Sequence, residues 1–190
     1  MLLWHRGFEG ELQKGNLGKM AYKGTALLAT ALMLYANAGS AAPGTALPSC
    51  TVAHAHYHLS SQPAFELSFV KVGKRDGWVS DLALKLTPVT GPAYWFLFDE
   101  GSARYINLIS TTDVTLKGWE PPTDAKGDRR LGMMHYFAWS RDYRFDESAP
   151  ASATLAPERI FLPDLADAMW YRASPRQGLS QGVFLLDGCG

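Results

Sequence analysis

The chain has 190 residues, and its 18 Lys and Arg balance its 18 Asp and Glu, so the formal net charge is zero. From residue 39 onward the balance is 14 basic to 16 acidic residues, a net charge of about −2. Without a basic excess the chain lacks the electrostatic footprint of a protein that binds nucleic acid or an anionic membrane surface.

An apolar run of eleven residues, TALLATALMLY at 25–35, is the first marked feature. It is shorter than the roughly 20 residues that a membrane-spanning helix needs, and its length suits the h-region of a signal peptide. The small residues of ANAGSAA follow, so cleavage after Ala38 or Ala41 matches the A-x-A pattern. An uncleaved membrane anchor is the alternative.

The residues before this run are unusual for a signal peptide, because Glu9 and Glu11 lie where a short basic segment is expected. A start at Met20 would give a conventional arrangement. We therefore assign residues 1–38 to an N-terminal extension plus signal peptide, and residues 39–190 to a single exported β-rich domain that is periplasmic or secreted, with no transmembrane segment in the mature chain.

Both cysteines, Cys50 and Cys189, lie in the predicted mature part. An isolated pair in an exported chain predicts one disulfide. The alternative is that LPSC at 47–50 is a lipobox with Cys50 lipidated, although about fourteen residues separate it from the apolar run.

CTVAHAHYHL at 50–59 predicts the first strand. Its alternation gives a buried face and a wetter face, which carries Cys50, Val52, His54, His56 and His58. The more apolar face carries Ala53, Ala55, Tyr57 and Leu59.

Alternating runs at 64–72 and 78–86 predict a β-hairpin about the turn cluster GKRDG. The run 93–98 is apolar on both faces, which favours a central strand covered on both sides. Residues 103–110 then return as the second arm of another hairpin.

A shorter run at 113–119 extends the sheet, and the polar loop 120–130 follows. Residues 130–139 predict a strand with Leu131, Met133, His135, Phe137 and Trp139 on one face. We expect this face to be core, with His135 neutral and hydrogen-bonded there.

Residues 146–157 are rich in Ala, Ser and Pro and predict irregular structure. A helix is expected over 162–171, because apolar residues recur at helical spacing, and 182–186 is a last strand. The pattern predicts a mainly β protein, an antiparallel β-sandwich or open barrel of about seven strands with one short C-terminal helix.

The histidines form the one cluster with chemical content. Neighbours such as His54 and His56 can chelate one ion, but His54 and His58 would be about 13 Å apart on a strand, which makes sharing by all three difficult. A site would therefore use two of the histidines, with His135 or another residue of a different strand as a further ligand. The candidate metal ligands are His54, His56, His58 and His135, for Zn or Cu. The alternative is a solvated row of surface histidines.

No nucleophile elbow, phosphate loop, H-E-x-x-H or C-x-x-C motif occurs in the chain. Trp119, in KGWEPP, is a candidate for stacking on a sugar or a partner peptide, although strand tryptophans are more simply core.

The sequence therefore favours a small exported, non-catalytic β-domain that acts as a binding or envelope-associated module for a protein or small-molecule partner, without a cofactor. The alternative is a periplasmic metal-binding protein, a Cu or Zn carrier or a zinc hydrolase, that uses the HAHYH histidines.

Overall fold

A computed structural model describes residues 49–101, 105–121 and 129–190. The predicted extension, signal peptide and cleavage sites lie outside these residues, as does most of the polar loop 120–130. Within the described part, nine strands and one short α-helix are present. The strands are β1 (Ala55–Leu59), β2 (Gln62–Lys71), β3 (Leu82–Thr87), β4 (Tyr94–Glu100), β5 (Ile106–Thr111), β6 (Met133–Trp139), β7 (Phe145–Asp146), β8 (Arg159–Phe161) and β9 (Val183–Cys189). The helix α1 is Leu165–Tyr171, and a 3₁₀ turn covers Val52–His54.

Eight of these strands close into an antiparallel barrel. The ring runs β5-β4-β3-β2-β1-β9-β8-β6, and β6 pairs with β5 to close it. The two-residue β7 pairs with Ala138 and Trp139 at the end of β6 and lies outside the ring. The prediction of a mainly β, antiparallel fold with one short helix is confirmed. The sandwich or open barrel of about seven strands is wrong in two respects, since the barrel is closed and the described residues form nine strands.

Successive neighbouring strands run in opposite directions between the two ends of the barrel. The end at which β1 stops, β4 and β6 begin and α1 follows β8 is called the upper end. Leu165, Ala168 and Met169 of α1 are buried there. The lower end is covered by residues 147–157.

The lower covering is held by hydrogen bonds to the barrel. The hydroxyl of Tyr57 donates to the carbonyl oxygen of Pro157 (2.8 Å), and that of Ser80 donates to the carbonyl oxygen of Pro150 (2.5 Å). The backbone N–H of Ser152 donates to Asp81 (2.9 Å). Both mouths of the barrel are therefore occupied by the chain itself.

Alternating side chains fill the interior. The largest fully buried ones include the rings of Tyr57, Phe65, Phe96, Tyr136 and Phe184. An eight-stranded barrel is just wide enough for side chains to fill, and here bulky aromatic and leucine side chains make up that core.

The prediction that Ala55, Tyr57 and Leu59 face inward is confirmed, whereas Val52, predicted on the wetter face, is buried and Ala53, predicted on the buried face, is half-buried. The prediction that the first strand begins at Cys50 is wrong. Residues 52–54 form the 3₁₀ turn, because the N–H of Val52 donates to Thr154 and that of His54 donates back to Thr51. His54 is therefore not in the same row as His56 and His58.

Both predicted hairpins are present, as β2 with β3 and β4 with β5. The prediction that 93–98 is covered on both sides is confirmed only for Trp95, which is outside the core cluster yet only 6% exposed, since Leu97 on the same face is half-buried. The expected strand at 113–119 is wrong, since this segment consists of turns. Its Trp119 ring packs edge-on against Trp78 (6.2 Å between centroids), and the guanidinium of Arg75 lies over both rings.

The inward face of β6 was assigned wrongly from the sequence. Met134, Tyr136 and Ala138 are buried, whereas Met133 is 61% exposed and His135 is exposed. Both faces of this strand are apolar enough to be buried in a core. The strand register places the face with Met134, Tyr136 and Ala138 towards the interior of the barrel. The outward face instead carries a row of aromatic rings, with Phe137 in contact with His135, Trp139, Tyr105 and Phe145.

The disulfide between Cys50 and Cys189 is present, with the two Cα atoms 5.9 Å apart and 139 residues of sequence separation. It leaves no thiol on Cys50 for a lipid, so the lipobox interpretation is wrong for this form of the chain.

We expect the double variant C50A/C189A to lower the free energy of unfolding by up to about 5 kcal/mol, because the bond closes a long loop. Chemical denaturation of both proteins measures the difference. Dithiothreitol should lower the melting temperature of the natural chain and leave that of the double variant unchanged. Equal sensitivity of the two proteins to dithiothreitol would contradict a stabilising bond.

A second prediction concerns two buried tyrosines. The Tyr57 hydroxyl donates to Pro157, while the Tyr136 hydroxyl has no hydrogen-bond partner among the described residues. Tyr57→Phe should therefore lower the free energy of unfolding by about 1 kcal/mol, whereas Tyr136→Phe should leave it unchanged or raise it. Urea denaturation at neutral pH compares the two variants, and equal losses would contradict this assignment.

Alkaline pH gives a third prediction. Burial raises the pKa of both Tyr57 and Tyr136 above the ordinary value. Tyrosines of the unfolded chain lose their protons near pH 10, about the ordinary value, while these two keep theirs in the folded chain. The unfolded state then binds fewer protons, so the free energy of unfolding falls as pH rises above about 10. The double variant Y57F/Y136F should lose less stability than the natural chain across this range in urea denaturation, and parallel losses would contradict the mechanism.

Candidate functional site

The three N-terminal histidines lie in two different settings. His54 belongs to the 3₁₀ turn, and its Nδ1 lies 2.7 Å from the carbonyl oxygen of Gly190. His56 and His58 project outward from β1, with His56 exposed and His58 half-buried. The pair that faces the same way is therefore His56 and His58.

Two carboxylates flank this pair from the neighbouring strands. Glu66 of β2 lies directly opposite His58 in the register. Asp187 of β9 lies beside a register shift, and its Oδ1 is 3.5 Å from Nδ1 of His58. A surface cavity of about 420 Å³ is lined by these four side chains together with Tyr57 and Pro63. We call His56, His58, Glu66 and Asp187 the histidine–carboxylate patch.

His135 is not part of this patch. Strands β9 and β8 lie between β1 and β6, so three strand spacings of about 4.8 Å separate the histidines along the sheet. His135 instead contacts Asp164, whose Oδ2 accepts from its backbone N–H (2.8 Å) and lies 2.8 Å from its Nδ1. The structure therefore does not bring His135 to the N-terminal histidines.

In the described ranges, no group of three or more His, Cys, Asp or Glu side chains is arranged so that it could already hold a metal ion. Metal binding by the four predicted histidines stays a prediction. Sequence reasoning missed Glu66 and Asp187 as neighbours of His58. The alternation of 64–72 does put Glu66 on an outward face, but only the strand register sets it opposite His58.

A second cavity lies at the upper rim of the barrel. We call it the rim cavity. Its volume is about 320 Å³, and it lies where β4 begins and β5 ends, beside the segment that follows α1. Its apolar wall includes Trp95, Leu131 and Ala173, and its charged groups are Asp113, Arg130 and Arg172.

Arg172 is held at this cavity by the backbone of the segment that leads into β6. Its Nη1 donates to the carbonyl oxygen of Leu131 (3.1 Å). Gly132 has φ +73°, and a Cβ there would overlap Nη1 of Arg172. Glycine therefore allows both the turn and the close approach of the guanidinium.

Hydroxyl groups supply further polar contacts in the rim cavity. The Oγ of Ser110 accepts from the N–H of Leu131 (3.1 Å). The Oγ1 of Thr111 is buried and has no hydrogen-bond partner among the described residues. Partial burial raises the pKa of Tyr94, an effect that a hydrogen bond with Gln177 partly offsets, so its hydroxyl stays protonated at neutral pH. An unpartnered buried hydroxyl is uncommon in folded proteins, and Thr111 is one of the residues that line the cavity.

No helix among the described residues is long and apolar enough to span a membrane. Comparisons with protein-family models, with curated proteins and with solved structures find no significant match to this chain.

Proposed function

We propose that the protein is an exported, non-catalytic binding module whose rim cavity holds a small organic anion. The observation that carries the proposal is the guanidinium of Arg172, fixed through Leu131 at a cavity of about 320 Å³ that also has an apolar wall. Small-molecule sites are commonly mostly apolar clefts of about 300–1,000 Å³ with a few well-placed polar groups.

The position of the cavity at the rim suits the way the barrel is filled. Aromatic rings such as Phe96 and Tyr136 occupy the interior, and α1 and residues 147–157 cover the two ends. A ligand that entered the interior would displace this packed core. A ligand at the rim contacts the ends of β4 and β5 and leaves the core intact.

The charges of the rim cavity favour an anion. Arg172 lines it with a guanidinium, which is always positively charged. A guanidinium has five N–H donors, and the bond to Leu131 uses one of them. The carboxylate of a ligand could accept two parallel hydrogen bonds from such a group. The apolar part of the same ligand would then pack against Trp95 and Ala173.

Export is the second part of the proposal. The disulfide between Cys50 and Cys189 is compatible with an oxidising compartment, and the predicted signal peptide supports the same location. The partner in this proposal is a small molecule of that compartment.

The ligand prediction uses benzoate and its uncharged analogue benzamide as probes, in calorimetric titrations of the full chain. Benzoate should bind about tenfold or more tightly than benzamide, since its carboxylate can form a two-bond ion pair with the guanidinium, whereas benzamide offers one neutral oxygen. The variant R172A should remove most of this preference, because it deletes the positive charge that favours the carboxylate.

Arg176 offers the matched control. It lies in the same segment as Arg172, is exposed and does not line the rim cavity. R176A should keep the preference for benzoate. Equal affinity for the two probes, absence of binding by both, or an unchanged preference in R172A would overturn the proposed anion site.

For the location, N-terminal sequencing of the protein recovered from the exported fraction should give a chain that begins at Gly39 or Ala42. This is where cleavage after Ala38 or Ala41 would leave the new terminus. A mature chain that retains residues 25–35 would instead support an uncleaved anchor and contradict the signal-peptide assignment.

A further inference from the structure

We propose that His56, His58 and Glu66 bind one divalent transition-metal ion on the outer face of β1 and β2, with Cu²⁺ held more tightly than Zn²⁺. This site is separate from the rim cavity and does not depend on the proposed function. Strands β2 and β3 lie between β1 and β4, where the rim cavity begins.

The strand geometry brings the two imidazoles within reach of one ion. His56 and His58 are alternate residues of β1 and share its outward face. Their Cα atoms are about 6.6 Å apart at ordinary strand rise. Metal–nitrogen bonds are about 2.0–2.1 Å, so both rings can turn towards an ion that lies between them.

The third ligand comes from the neighbouring strand. Glu66 pairs directly with His58 in the antiparallel register, and side chains in such pairs have Cβ atoms about 4.5–5.5 Å apart. The Glu66 side chain is exposed, so it has room to swing towards the histidines. Two imidazole nitrogens and one carboxylate oxygen form a donor set that suits Cu²⁺ and Zn²⁺.

Asp187 acts as a positioning residue from the other side. Its carboxylate lies 3.5 Å from Nδ1 of His58. A short rotation lets it accept the Nδ1 proton, which leaves Nε2 as the metal-binding atom. Carboxylates commonly orient metal-binding histidines in this way and raise their basicity.

The cavity at these side chains provides room for the ion and its waters. Its volume is about 420 Å³, and four of its six lining residues are His, Asp or Glu. The side chains are not yet gathered about a common point, as no such group of three occurs in the described part of the chain. Binding therefore requires rotation of partly exposed side chains, while the strands that carry them stay fixed.

The order of affinity follows from the donor set. For a given set of nitrogen and oxygen ligands, Cu²⁺ binds more tightly than Zn²⁺. A site that gathers on binding imposes no tetrahedral geometry that would favour zinc, so copper should be the preferred ion.

The test is a titration of the full chain, without a polyhistidine tag, with CuCl₂ and with ZnCl₂. Calorimetry should show one Cu²⁺ per chain and weaker Zn²⁺ binding. Electron paramagnetic resonance of the copper complex should show two coordinated nitrogens. The double variant H56A/H58A should lose this binding, and E66Q and D187N should each weaken it by about tenfold or more.

Two histidines outside the patch give matched controls, since H54A and H135A each remove one imidazole and leave the proposed ligands in place. Both variants should leave Cu²⁺ affinity unchanged. If H56A/H58A lost its fold, judged by circular dichroism, H56N/H58N would replace it, because asparagine keeps a polar side chain on the outward face. Unchanged affinity in the double variant, absence of Cu²⁺ binding by the natural chain, or loss of binding in a control variant would overturn the proposal.

Discussion

The pairing of the first strand with the last is the constraint on which the rest of the structure depends. β1 and β9 are antiparallel neighbours, with Ala55 at the start of one paired to Cys189 at the end of the other. Without this pairing the sheet would have two open edges, each with unpaired N–H and C=O groups. With it, the ring closes, one face of each strand becomes interior, and the disulfide between Cys50 and Cys189 holds the same seam covalently.

Closure also decides where binding sites can lie. The narrow interior of an eight-stranded ring is filled by aromatic and leucine side chains. The two candidate ligand sites accordingly lie at the rim and on the outer face of the barrel. The rim cavity forms where strand ends and the segment after α1 leave a gap, and the histidine–carboxylate patch forms where β9 and β2 flank β1.

Features set by local pattern were predictable from the sequence, and features set by strand pairing were not. The alternation of 64–72 puts Phe65, Leu67 and Phe69 on one face, and all three are buried. The isolated cysteine pair predicted the disulfide. Both faces of β6 are apolar, so alternation could not decide between Met134 and His135 as an inward residue. The three-residue β8 is too short for any periodicity to identify it. Glu66 becomes a neighbour of His58 only through the strand register, which depends on which strand lies beside which.

The two proposed sites differ in how far they are formed before binding, and this difference bears on their selectivity. Arg172 is held by Leu131, in space that Gly132 leaves open. If the rim cavity binds an anion as proposed, a guanidinium already hydrogen-bonded there would lose less conformational entropy on binding than a side chain with no such contact. His56 and Glu66 are exposed and must be gathered by the ion. Ordering these side chains costs free energy at the moment of binding, and selectivity then comes from the intrinsic preference of nitrogen and oxygen ligands among metals. Both proposed sites lie outside the packed interior of the barrel, one at its rim and one on its outer face, where side chains can adjust to a ligand without disturbing the core.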